Sequence, residues 1–149
     1  VFSKTHRLLK DRNFLILTTN TKNITEKGPF LIKETSTEIS HPINLTIQET
    51  YDGIPENKHQ IIINKDLVSY PLSLKKWHHG DAIYPIGMTG SKKISQLFKD
   101  KKLSLLDKEK IWLLCDAKDT IIWGIGLRQD RRFTVNKKTK NRLKISFIS

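Results

Sequence analysis

Cysteine is almost absent from this chain of 149 residues: Cys115 stands alone, which excludes an internal disulfide framework and fits a reducing compartment. Long apolar runs are missing too. No stretch approaches the roughly 18 residues needed to cross a bilayer as a helix, and no basic-then-apolar leader opens the sequence. The chain therefore reads as soluble and cytoplasmic. Its seven glycines include no adjacent pair, and Gly87-Met88-Thr89-Gly90-Ser91-Lys92 departs from the Gly-x-x-x-x-Gly-Lys-Ser/Thr spacing of a phosphate-binding loop. The chain is not expected to bind ATP alone. Without a secretory signal, the glycosylation sequons Asn23-Ile24-Thr25 and Asn44-Leu45-Thr46 carry no meaning. The first residue is Val1 and not methionine, as expected of a piece of a longer protein.

Acidic residues are scarce: 27 Lys and Arg face 15 Asp and Glu, for a net charge of +12. Such an excess favours a polyanionic partner, either nucleic acid or an acidic membrane surface. The basic residues follow no long amphipathic helix, which ranks the membrane low. The charge is also unevenly spread. Residues 1–66 hold nine Lys/Arg against eight Asp/Glu, whereas residues 67–149 hold eighteen against seven. The length suits one domain with a real core, a β-rich and near-neutral part over 1–70 and a basic part over 71–149. The partner-facing surface should come from the second part.

Within the first part, residues 14–19, 29–34, 43–48 and 59–64 are short, rich in β-branched and aromatic residues, and separated by polar turn-rich stretches. They predict strands of a sandwich or barrel-like sheet. Ile43, Leu45 and Ile47 alternate with Asn44, Thr46 and Gln48, which predicts an outer strand with one wet face. Residues 20–27 and 52–58 read as connections.

The second part opens on the most informative segment, in which Lys75-Lys76-Trp77-His78-His79 and Lys92-Lys93 flank a Gly/Pro-rich loop over 80–90. Ser91 is placed to cap a helix whose Ile94, Leu97 and Phe98 share one face, putting Lys92 and Lys93 on the first turn of a helix start, where N–H groups and dipole favour phosphate. Ser104-Leu105-Leu106-Asp107 resembles a weak capping box opening a second short helix to about Lys110. Residues 111–115 and 120–125 predict a hairpin turning over 116–119, and residues 131–135 and 143–147 predict two further strands.

The basic residues group into three candidate patches: Lys75 and Lys76; Lys92, Lys93, Lys99, Lys101 and Lys102; and Arg128, Arg131 and Arg132. Any single lysine is ordinarily just solvated surface, so the clusters carry more than their members. Trp77 suits either base stacking or a partly buried anchor, while Trp112 and Trp123 sit in apolar runs and read as packing. His78 and His79 invite a metal reading and, with it, a stand-alone metal-dependent enzyme. Adjacent histidines on an extended segment point to opposite faces and do not readily share an ion. They also lack a nucleophile partner for acid–base work. Asp81 can fix its loop by accepting backbone N–H groups, and Cys115 reads as a small core residue.

Lys75-Lys76-Trp77 with Gly80-Asp81, Pro85-Ile86-Gly87, Ser91-Lys92-Lys93-Ile94 with Leu97-Phe98, Leu113-Leu114 and Trp123-Gly124-Ile125-Gly126 resemble the C-terminal region of the bacterial tRNA(Ile)-lysidine synthetase family, as less distinctly do residues 2–10. The family usually carries arginine at the positions of Lys75, Lys108 and Lys110; lysine keeps the charge and gives up the planar fork. The resemblance implies a mainly β fold with two short helices, sandwich-like and shared with the phenylalanyl-tRNA synthetase beta subunit. It implies a parent ligase that uses ATP, with magnesium, to adenylate the wobble cytidine of an isoleucine tRNA, then displaces AMP with free lysine to form lysidine. That chemistry belongs to an N-terminal domain with a Ser-Gly-Gly-x-Asp-Ser loop, which this sequence lacks. This chain would then contain no catalytic residue and bind no metal or cofactor. It would hold the tRNA through Lys75, Lys76, Trp77, Lys92, Lys93, Lys99, Lys101, Lys102, Arg128, Arg131 and Arg132. Its implied partners are isoleucine tRNA and the catalytic domain of its own chain, with a homodimer as a further partner. The alternative is a module that braces the catalytic domain or a dimer without touching RNA.

Overall fold

The computed structural model describes residues 28–51 and 53–148, together with the backbone of two short strands, β1 (Leu8–Leu9) and β2 (Phe14–Leu15), which pair antiparallel. The rest of the strand expected over 14–19, the connection over 20–27 and most of the resemblance over 2–10 lie outside the described residues.

Two four-stranded antiparallel sheets face one another. The first holds β3 (Phe30–Ile32), β7 (Leu72–Lys75), β10 (Leu113–Cys115) and β11 (Ile121–Gly124) in the order β11-β10-β7-β3. The second holds β4 (Glu38–Ile39), β5 (Asn44–Thr50), β6 (Gln60–Asn64) and β12 (Arg142–Ile148) in the order β4-β5-β12-β6. Each sheet thus mixes strands from both halves of the chain. Between them lies a core in which Ile32, Leu72, Leu74, Leu114 and Ile122 of the first sheet meet Leu45, Ile47, Ile61, Ile63, Leu143 and Ile145 of the second. Trp112 and Trp123 fill the same core, as their apolar surroundings predicted.

The first sheet is covered on its other face as well. Helix α1 (Ile94–Asp100) sends Ile94, Leu97 and Phe98 onto Leu113, Cys115 and Ile121, with Ile83 and Leu127 completing a second cluster. A short ribbon of β8 (Ala82–Ile83) and β9 (Lys92–Lys93) leads into α1. Helix α2 (Leu105–Glu109) follows, with Ser104 Oγ accepting the Asp107 N–H at 3.1 Å as the capping pattern predicted. The hairpin β10–β11 also forms as predicted. Its turn is fixed by Asp116, which is buried and accepts the N–H groups of Lys118 at 3.0 Å and Thr120 at 3.1 Å.

Four sequence expectations change. Strand β5 is not an outer strand: it lies between β4 and β12, because alternation reports a wet face and says nothing about sideways neighbours. Ser91 does not cap α1. Lys93 takes the N-cap position with no side-chain cap, and the Asp81 carbonyl receives the Ile94 N–H at 2.9 Å, so Lys92 and Lys93 lie on a strand and not on a helical first turn. Residues 131–135 do not form a strand: Arg131–Phe133 is a 3-10 turn capped by the Asp130 side chain. Strand β7 was not anticipated, although Leu72 and Leu74 alternate with Ser73 and Lys75.

Candidate nucleic-acid interface

The loop over residues 84–91 owes its shape to Asp130, whose side chain is wholly buried. One carboxylate oxygen accepts the Tyr84 N–H at 3.0 Å, while Arg132 grips both oxygens through Nε at 2.9 Å and Nη2 at 2.8 Å and adds its own N–H at 2.8 Å. Burial pushes the Asp130 carboxyl up, but these hydrogen bonds outweigh it and hold the group below the ordinary carboxylate range. Two more arginines reach the loop itself. Arg128 donates to the Ile86 carbonyl at 2.6 Å, and Arg131 donates to the carbonyls of Gly90 at 3.2 Å and Thr89 at 3.1 Å. The guanidinium carbons of Arg131 and Arg132 stand 5.0 and 4.3 Å from the Tyr84 ring centroid. Within the loop, Met88 N–H bonds to the Pro85 carbonyl at 3.2 Å with Gly87 at φ +89°, the third position of a turn that needs a left-handed residue.

The Lys75–Trp77 segment is anchored from below. Lys75 Nζ lies 3.2 Å from Asp119 and 3.8 Å from Asp81. Burial opposes its charge, but the Cys115 sulfur, Asp119 and Asp81 oppose burial and leave Lys75 above the ordinary lysine value. Cys115 is a thiol at neutral pH, pushed up to about 12 by burial, so the two carboxylates hold the ammonium there. Lys76 donates to the Glu109 carbonyl and sits 4.1 Å from the Trp112 ring centroid; burial lowers its pKa, with Glu109 partly offsetting. Trp77 makes an edge contact with Phe98 at 5.1 Å between centroids, so it is a partly buried anchor of the second cluster. Asp81 accepts the His78 N–H at 2.7 Å, the loop-fixing role expected of it. His78 and His79 are exposed, and no metal-ligating group of three or more side chains occurs among the described residues.

Lys92 and Asp100 form an ion pair that ties β9 to the end of α1, and the hydrogen bonds from Lys92 and Gln96 hold the Asp100 carboxyl low. Lys93, Lys99, Lys101 and Lys102 are exposed, and no carboxylate pairs with them among the described residues.

The ten basic candidates therefore divide by what holds them. Lys75, Lys92 and Arg132 are neutralised by carboxylates. Lys76, Arg128 and Arg131 are held by backbone carbonyls, which fix a cation in place without cancelling its charge. Lys93, Lys99, Lys101 and Lys102 have no such partner among the described residues. Lys75 ends β7 of the first sheet and Lys76 follows it, Lys92 to Lys102 run from β9 to just past the end of α1, and the three arginines follow β11 and reach the 84–91 loop or its Asp130 hub. The residue that sequence reasoning missed is Asp130. Its signal was an aspartate two positions before Arg132 at the head of a turn.

The fold defines a two-sheet sandwich with a helical layer, and solved structures share it. A crystal structure of a TilS C-terminal domain superposes with a TM-score of 0.64 at 18% identity, covering 81% of this chain and 91% of that one. An N-terminal fragment of the phenylalanyl-tRNA synthetase beta subunit from Pyrococcus horikoshii superposes with a TM-score of 0.51 at 15% identity, over 69% of this chain and 28% of that one. At such identities these matches show the fold. The family is shown by sequence: residues 72–145 match the TilS substrate C-terminal domain, and the chain belongs to this C-terminal domain family of tRNA(Ile)-lysidine synthase. The tRNA(Ile)-lysidine synthase of Parabacteroides distasonis is 40% identical over 99% of this chain and 34% of its own length. That of Bacteroides thetaiotaomicron is 34% identical over 93% of this chain and 30% of its own length. The chain spans about a third of the length of these curated relatives.

Proposed function

We propose that this chain is the tRNA-holding module of a longer tRNA(Ile)-lysidine synthase, which uses ATP and lysine to convert the wobble cytidine of an isoleucine tRNA to lysidine in the cytoplasm. The observation that carries the reading is a set of cations with no carboxylate partner among the described residues: Lys93, Lys99, Lys101 and Lys102 unpaired, with Lys76, Arg128 and Arg131 fixed on carbonyls. A carbonyl-held guanidinium presents its charge in a set direction, and mobile lysines adapt to an irregular backbone; both release counterions on meeting phosphate. Such contacts position a folded RNA without reading its bases. Lys75, Lys92 and Arg132, already neutralised, support the surface from beneath. Trp77, wedged against Phe98, shapes the segment and is not free to stack on a base over its whole face. Adenylation and lysine transfer, with ATP and magnesium, are assigned to the catalytic domain outside these residues, since the glycine pattern here offers no phosphate loop.

A salt titration of binding to unmodified isoleucine tRNA, run beside a duplex of matched length, tests this. Tight binding that prefers the folded tRNA and falls steeply with salt is expected. Absence of binding at low salt would overturn the reading and favour the bracing module. One observation speaks for that second reading: Leu105 and Leu106 of α2 are 42% and 61% exposed, side by side. Under it, this chain would ignore tRNA and bind the separated catalytic domain.

A further inference from the structure

Helix α1 ends in a complete Schellman motif. Leu103 N–H reaches back to the Phe98 carbonyl at 3.1 Å and Lys102 N–H to the Lys99 carbonyl at 3.0 Å, while Leu103 packs in the same apolar cluster as Phe98. The motif requires a left-handed residue after the cap, and Lys102 supplies it at φ +54°. Glycine is the ordinary occupant of this position, because a Cβ there crowds the backbone. Elsewhere this chain follows that rule: Gly28, Gly53, Gly80, Gly87 and Gly126 all have positive φ. The other exception among the described residues, Asp119 at φ +65°, explains itself. Aspartate tolerates the left-handed region, and this one pairs with Lys75 at 3.2 Å. Lys102 has neither excuse. Its side chain is exposed and has no hydrogen bond or ion pair among the described residues, and the helix dipole already has Lys99 and Lys101 at the same end.

We infer that Lys102 is a phosphate-contacting residue of the RNA-holding surface, retained at a backbone position that glycine would occupy with less strain. Its side chain is exposed, whereas Phe98 and Leu103 on either side of the cap pack into the second cluster. The inference rests on the tRNA-holding reading and makes one residue of that surface specific.

Stability and affinity should then move in opposite directions in Lys102→Gly. In the 149-residue chain this substitution should raise Tm by about 2–5 °C. It should weaken binding to unmodified isoleucine tRNA by roughly 3- to 10-fold near 0.1 M salt, and lower the salt slope by about one. Lys102→Asn, which tolerates the same backbone without the charge, should lose similar affinity and exclude a rearranged turn as the cause. Lys33→Gln, an exposed lysine beside β3, serves as the single-charge control and should change affinity less than about 2-fold. If Lys102→Gly and Lys33→Gln bind alike, the inference falls while the tRNA-holding reading stands. A Tm that drops in Lys102→Gly removes the argument from strain. If the unaltered chain does not bind tRNA, the tRNA-holding reading falls and takes the inference with it.

Discussion

The two sheets of this sandwich differ in what lies on their outer faces: one is covered by a helical layer and the other meets water, while cations of every kind, paired and unpaired, stand beside both. On the second sheet the outer positions of β5, Asn44, Thr46 and Gln48, meet water or half-burial. Two nearby lysines find carboxylates, Lys65 at 3.8 Å from Glu34 and 3.3 Å from Glu49 and Lys144 at 3.9 Å from Glu56. Arg142 donates to the carbonyls of Thr139 and Asn136, and Lys58, Lys137, Lys138 and Lys140 are exposed with no ion pair among the described residues. On the first sheet the outer face is packed under a helical layer, and the cations around it divide between carboxylate partners, carbonyl partners and, among the described residues, none. A helix that buries one stripe presents the other to solvent, which leaves Lys99 of α1 exposed opposite Ile94, Leu97 and Phe98. A net charge of +12 does not describe the whole surface evenly. Pairing separates cations that are already neutralised from those left able to meet a polyanion, a distinction that composition does not make.

The largest effect expected from testing this contrast is in the doubly covered sheet. Leu114→Ala, at a wholly buried position between the sheets, should lower unfolding free energy by about 2–5 kcal/mol in urea titration. Leu106→Ala, mostly exposed on α2, should change it by less than about 0.5 kcal/mol. Equal losses would mean that the helical layer is packed as tightly as the interior.

Next is the loop hub. Asp130→Ala strands the Tyr84 N–H and the Arg132 guanidinium, and should destabilise by about 2–4 kcal/mol. The pH dependence has a definite sign. Asp130 is held below its unfolded value of about 3.9, so its contribution is present above that pH and is lost as pH falls through the folded value. The acid limb of the stability curve should be shallower in Asp130→Asn than in the unaltered chain. Identical limbs would show that Asp130 does not carry the loop.

The functional side of the contrast calls for charge reversal. Lys93→Glu with Lys101→Glu should weaken tRNA binding by about 10-fold or more, near 1.4 kcal/mol. Lys65→Glu with Lys144→Glu, two lysines already paired with carboxylates, should weaken it several-fold less. Equal losses from the two pairs would dissolve the distinction between paired and unpaired lysines and leave only net charge.

The smallest effect is a silence. Cys115 lies beneath the helical layer, its thiol pushed up to about 12 by burial, with the Lys75 ammonium pulling it only partly back. A thiol reagent at pH 8 should leave it unmodified in the folded chain and modify it at once in denaturant. Rapid labelling without denaturant would mean that α1 opens readily from the first sheet.

Much of this was legible beforehand, and the exceptions share a cause. Ile94, Leu97 and Phe98 announced α1 by spacing alone, and Ser104 announced the start of α2, because both signals are local. The apolar runs of β10 and β11 announced a hairpin, and the structure shows that its strands are buried throughout. The place of β5 inside its sheet was hidden, since a two-residue β4 with no strand signature covers its flank. Lys92 and Lys93 were placed on the helix because Ser91 looked like a cap, while the deciding group, the Asp81 carbonyl ten residues earlier, leaves no mark on local pattern. Lysine and arginine clusters were visible as clusters, but not which members were already neutralised.

What sequence alone determined is the inventory of local conformations and the amount of charge: alternating strands, a helix with one apolar stripe, a lone buried thiol, and a basic second half. These follow from steric preferences and from the transfer of apolar side chains out of water, which act over a few residues. The tertiary structure decided which cations meet carboxylates, which meet carbonyls and which meet nothing. Asp130 and Tyr84 lie 46 residues apart, Lys75 and Asp119 lie 44 apart, and Coulomb and hydrogen-bond forces act over ångströms of space whatever the distance along the chain.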